Sequence, residues 1–110
     1  MNPVARTLQI LTDRGWTARE VETRVSSRLK RDPFGLDIIA VKDFVTLGVQ
    51  VTDSDHFAAH RTSIEENPDC RAWVSAGNPL QVWAWYVRKP DKDPVIWDYL
   101  LDTPAWEGAD

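Results

Sequence analysis

Apolar and polar positions are most clearly ordered between Leu36 and Thr52. Leu36–Lys42 and Val45–Thr52 are rich in β-branched and apolar residues, and Lys42-Asp43-Phe44-Val45 between them suits a tight reversal. The pattern predicts a β-hairpin. With the turn centred on Asp43 and Phe44, Lys42 faces Val45, Ile39 faces Gly48 and Asp37 faces Gln50. Side chains alternate along a strand, so Asp37, Ile39 and Val41 share a face with Thr46, Gly48, Gln50 and Thr52. Leu36, Ile38, Ala40, Leu47, Val49 and Val51 make a wholly apolar opposite face that calls for a helix.

The same signals place the other elements. Asn2 as cap, Pro3 at the first helical position and Val4, Leu8 and Leu11 on one face predict a helix that Gly15 ends. Residues 16–25 suit either a helix by propensity or a strand with Glu20 and Glu22 on one face; the strand is the expectation. Ser26-Ser27 leads into a basic loop, and Asp32-Pro33-Phe34-Gly35 is turn chemistry. Asp53-Ser54-Asp55 offers a cap for a helix through about Glu66, and Asn67-Pro68 opens a short helix, Asp69 to Ala76, closed by Gly77. Residues 80–87 and 95–101 read as strands, the last at a sheet edge, with Trp83 and Trp85 on one face as core residues rather than base-stacking platforms. The fold class expected is α/β: an N-terminal helix followed by a central mixed sheet of about four or five strands flanked by helices.

Composition makes this a single domain, since 110 residues with 43% hydrophobic and 27% charged content are ordinary for one globular unit. No apolar run approaches the roughly 18 residues of a membrane span. The N-terminus lacks a signal-peptide pattern and Cys70 is the one cysteine, so a cytoplasmic protein is expected. A net charge of −4 weighs against nucleic acid, yet it divides into +3 over residues 1–42 and −7 over the rest. Arg24, Arg28, Lys30 and Arg31 cluster just ahead of Asp37, where they could take phosphates; a solvated basic loop is the competing reading. His56 and His60 have the spacing of a two-histidine metal site without a partner motif, and an exposed pair is expected.

The chemistry gathers at the hairpin. Directly opposed strand residues have Cβ atoms about 5 Å apart, close enough for the oxygens of Asp37 and Gln50 to reach one hard cation, with Gly48 leaving room beside them. Replacing Asp37 by alanine is expected to cost little stability or even to stabilise, because it removes a poorly paired carboxylate.

GLDIIAVKDFVTLGVQVT resembles the signature of the PD-(D/E)XK nuclease superfamily: an aspartate opening a hydrophobic strand, then a second strand ending in an acid-x-lysine triplet. Asp37 stands as the motif aspartate, Gln50 where a glutamate is usual and Thr52 where a lysine is usual. The order of elements around Gly15-Trp16 is similar to that of archaeal Holliday-junction resolvases, with a helix and a strand ahead of the motif hairpin. The DPFGLD, LGVQVT and VWAWYV stretches also resemble a set of short bacterial and phage proteins that bring no assigned activity. The resemblance implies one restriction-endonuclease-like domain over residues 1–110 and a Mg²⁺-dependent DNA endonuclease, with Mn²⁺ as substitute. Asp37, Gln50 and the Val51 carbonyl would hold the ion. Glu22 would be an additional acid in a catalytic set with Asp37, Gln50 and Thr52, while Lys30, Lys42, Arg61 or Lys89 would replace the missing lysine. The alternative expectation is an inactive nuclease fold that binds DNA or a protein partner, or pairs as a homodimer.

Overall fold

The computed structural model describes residues 2–21, 24–26, 29–30, 36–94 and 96–104, with backbone alone for 24–26 and 29–30. Helix α1 (Pro3–Asp13) starts where the Asn2 side chain accepts the Ala5 N–H at 3.2 Å. It stops at Gly15, whose φ of 91° lies in the left-handed region that glycine enters without strain. Lys42 Nζ donates to the Arg14 carbonyl at 2.9 Å, neutralising the end of the helix. The following strand, β1 (Thr17–Glu20), settles the ambiguous stretch in favour of a strand, though a shorter one than expected. Two short strands, β2 (Arg24–Ser26) and β3 (Leu29–Lys30), pair as a separate antiparallel ribbon within the stretch read as a basic loop.

The predicted hairpin forms in the predicted register. Strands β4 (Ile38–Lys42) and β5 (Val45–Asp53) are antiparallel, with Ile39 opposite Gly48 and Lys42 opposite Val45, and Asp43 turns the chain with a φ of 53°. Asp53 then caps a single 3-10 turn (Ser54–His56) that runs into α2 (Phe57–Glu66). Asn67 caps α3 (Pro68–Ser75) through a 2.9 Å bond from the Asp69 N–H. Strand β6 (Leu80–Lys89) lies parallel to β5, and β7 (Ile96–Asp102) returns antiparallel to β6. The five-stranded mixed sheet has the order β1-β4-β5-β6-β7, which bears out the α/β class. No helix among the described residues is long and apolar enough to cross a membrane.

Helices cover both faces of this sheet. On one, α1 lays Leu11 against Ile38, Ala40, Leu47, Val49, Trp83 and Trp85. Trp83 stacks on Tyr99 at 4.5 Å, and the Trp85 indole donates to Thr7 Oγ1 at 2.9 Å, which explains a buried threonine in α1 and bears out the two tryptophans as core. On the other, Ile64, Cys70 and Trp73 from α2 and α3 pack on Leu36, Leu80 and Val82.

This second cluster corrects two expectations. The face that bears Gln50 and Thr52 was read as open, but a parallel β5–β6 pair needs a long crossover, and α2 and α3 supply it across that face. Leu36 was assigned to the same face as Ile38, yet it belongs to the α3 side. The strand begins only at Ile38, so strict alternation does not extend back to Leu36.

Candidate functional site

Asp37 sits just outside β4, where the chain arrives beside β5. Its N–H donates to the Val49 carbonyl at 2.9 Å, and its own carbonyl accepts the Val21 N–H at 2.8 Å. Its Oδ2 accepts the Val51 N–H at 2.7 Å. Strand β5 runs on past the start of β4, so Val51 presents a main-chain donor where a ladder carbonyl from β4 would otherwise stand. The Asp37 carboxylate takes that carbonyl's place. An N–H left without an acceptor in a half-buried strand costs about 1–3 kcal/mol, so Asp37 has a structural use the sequence did not reveal. Its replacement by alanine is therefore expected to destabilise, which reverses the expectation of a small cost.

Gln50 lies on the α2–α3 face, in register with Val82 of β6 and, beyond it, Asp102 of β7. Its Oε1 is buried with no hydrogen-bond partner among the described residues. Thr52, at the position of the motif lysine, is 9% exposed. Gly48 does not leave space for a ligand: a Cβ there would meet Leu36 Cδ2 at 2.8 Å and Trp73 Nε1 at 2.9 Å. The vacancy is filled by the protein itself. The Pro79 carbonyl fixes both sides of this contact, accepting the Trp73 indole N–H at 2.9 Å and the Gly48 N–H at 3.0 Å.

The candidate replacements for the lysine are dispersed. Lys42 is at the far end of β4 from Asp37, bonded to the end of α1 and 5.9 Å from the centre of the Trp16 ring. Arg61 on α2 bonds Glu65 at 3.1 Å and stands 3.5 Å from Asp102 Oδ2, an ion pair without hydrogen-bond geometry. Lys89 is exposed at the end of β6. Glu22, Arg28 and Arg31 lie outside the described residues; Arg24 and Lys30 are opposite one another in the β2–β3 ribbon, with backbone alone described.

A Mg²⁺ site of the kind the resemblance implies needs several oxygens and at least one carboxylate at the ion. Asp37 and Gln50 supply one net charge between them, and Oδ2 of that carboxylate is held by the Val51 N–H. Among the described residues no three His, Cys, Asp or Glu side chains converge in a metal-holding group. The donor set described therefore falls short of the ion.

A different feature emerges at the C-terminal ends of β5 and β6. A cleft of about 400 Å³ is lined by Trp85, Tyr86, Val87 and Trp97 together with Asp53, Ser54 and Asp55. Asp53 Oδ1 accepts from the His56 side chain at 2.7 Å and from the His56 N–H at 2.9 Å. The side-chain bond is the main reason the Asp53 carboxyl titrates below its usual range. The parallel pairing of Asp53 with Trp85 and the antiparallel pairing of Val87 with Trp97 bring the acids, the loop and the tryptophans together.

No protein-family model, curated protein or solved structure matches this chain.

Proposed function

We infer that this chain is a nuclease-like fold that binds DNA or a protein partner without cutting phosphodiesters. The nuclease-like part is supported by the order of elements: a helix and a strand precede the motif hairpin, and Asp37 stands at the head of its first strand. The loss of cutting rests on the 2.7 Å bond from Val51 to Asp37 Oδ2. It commits one oxygen of the motif's remaining carboxylate to the main chain. The lysine position carries a buried threonine that offers no cation to a developing phosphorane, where electrostatic stabilisation is usually the largest catalytic contribution.

One observation favours the Mg²⁺-dependent endonuclease instead. The buried Gln50 Oε1 is an acceptor without a donor among the described residues, and a cation would satisfy it. Strand residues turn N–H and C=O to the same side, so the Val51 carbonyl faces the side that Asp37 occupies.

Cleavage of linear, branched and single-stranded DNA with Mg²⁺ and Mn²⁺ separates the two readings. The wild type is expected to leave all three intact. Nicking that disappears in a folded Asp37→Asn variant would overturn the binding-only reading. The double variant Gln50→Glu with Thr52→Lys, which restores the triplet, is expected to gain Mn²⁺ affinity by calorimetry and to be less stable without the ion, because it buries two charges.

A further inference from the structure

The cleft lined by Asp53 and Trp97 lies beside an open edge of the sheet. β7 is the last strand of the sheet, so its outer edge has no strand partner among the described residues. Natural edges of this kind are usually shielded by charge, proline or a covering element. Here Trp97 and Leu101 stand 36% and 49% exposed on the α1 face of this strand, and Leu100 stands 50% exposed on the other face. Trp97 belongs to both features, since it is a wall of the cleft and part of the apolar edge.

The cleft combines aromatic walls with carboxylates. Trp85 is almost wholly buried and anchored through its indole N–H to Thr7, so it forms a rigid wall. Trp97 is half-exposed, and Asp53 and Asp55 line the same cleft. An indole face attracts a cation through its quadrupole, and a carboxylate opposite adds a charge-assisted acceptor. A guanidinium group suits both at once, because it is planar, permanently charged and able to stack while donating in its own plane. DNA is poorly matched to these carboxylates, which would repel its phosphates.

We propose that this cleft binds an arginine side chain of a protein partner, with the apolar residues flanking that arginine lying on Trp97 and Leu101 of β7. The proposal rests on the binding reading above in taking the partner to be a protein. A second copy of this chain is a less suitable occupant through the edge itself, since β7 carries two aspartates and no cation to enter the cleft. The volume of about 400 Å³ accommodates one long side chain and falls within the usual range of ligand pockets.

The test titrates the intact protein with an acetylated, amidated pentapeptide in which a central arginine is flanked by leucines, following the tryptophan indole N–H signals by NMR. Controls carry citrulline, which keeps the shape without the charge, or glutamate at the centre. The expected result is saturable movement of the Trp85 and Trp97 signals, with affinity about tenfold weaker for the citrulline peptide and for Asp55→Asn, and lost for Trp97→Ala. Asp55 makes no cap bond, so its replacement leaves the fold intact, and circular dichroism checks both variants. Equal binding of the three peptides, or signal changes confined to residues away from the cleft, would overturn the proposal. So would sedimentation showing a dimer that Leu101→Lys dissociates, because a second copy would then cover this surface. None of these outcomes bears on DNA cleavage, so the failure of the arginine site and the failure of the non-cutting reading are told apart.

Discussion

The two faces of the sheet are built by different means. Beneath α1 the packing is continuous and apolar, and its polar groups are paired: the Trp85 indole with Thr7, and Thr7 in turn with the Pro3 carbonyl at 2.7 Å. Beneath α2 and α3 the surface is interrupted by Gly48, Gln50 and Thr52, and its fit depends on Leu36 and Trp73 filling the gap over the glycine. The α1 face shows how an alternating pattern becomes a core. On the other face, the polar residues of a site-like motif are held under a helical crossover that the strand topology requires.

The largest effect is expected on the α1 face. Ile38 is fully buried there, and Ile38→Ala should destabilise by about 2–5 kcal/mol in denaturant melts. A smaller loss would mean that α1 can settle into the space left behind.

Next comes Gly48→Ala on the opposite face, expected to cost about 1–3 kcal/mol because its methyl group would enter the space of Leu36 and Trp73. Trp73 is the less yielding neighbour, since its indole is bonded to Pro79. If Gly48→Ala is neutral and Gly48→Ala with Leu36→Ala is no better, the tight contact is not what makes this face fit.

Asp37→Ala removes the acceptor of the Val51 N–H and should cost about 1–3 kcal/mol, with Asp37→Asn costing less because its amide oxygen can still accept. Hydrogen exchange at Val51 gives a local readout: it should quicken in the alanine variant and change little in the asparagine variant. Alanine and wild-type melts that coincide would remove the structural role and restore interest in Asp37 as a ligand.

The smallest effect concerns pH. The Asp98 carboxyl is held below its ordinary range first by the Tyr99 N–H at 2.8 Å and then by Arg88, and Asp53 is lowered by His56. A carboxyl whose folded pKa is depressed contributes stability above its unfolded pKa and loses it as the pH falls through the folded value. Both groups are solvent-exposed, so a slight fall in melting temperature is expected below about pH 4, flattened in Asp98→Asn. The burial of Cys70 acts in the other direction, raising its thiol pKa, and its reaction with a thiol reagent should wait for unfolding.

Local signals were enough for much of the fold. Asn2 with Pro3, Asn67 with Pro68 and the Asp43-Phe44 reversal are short-range devices whose energetics lie within a few residues, and each acts where the chain predicts it. The period-2 pattern likewise set the β4–β5 register, because a slip by one residue would turn Ile38, Val49 and Val51 out of the core. The site was less legible. The β4–β5 ladder starts at Ile38 with Val49, so the expected opposition of Asp37 to Gln50 lies beyond it, and the use of the carboxylate as a substitute for a missing ladder carbonyl depends on where β4 begins.

Most of the helices and strands, the hairpin register and the burial of Trp83 and Trp85 follow from hydrophobic periodicity, caps and turns, which act over a few residues; the β2–β3 ribbon does not. Long-range packing puts α2 and α3 over the face of Gln50 and Thr52, takes Leu36 to that side, and brings Asp53 to Trp85 and Trp97 around a cleft. Those outcomes rest on the parallel pairing of β5 with β6 and the return of β7. The β5–β6 pairs join residues 32 positions apart and the β6–β7 pairs residues 7 to 20 apart, and no pattern confined to a few residues specifies them.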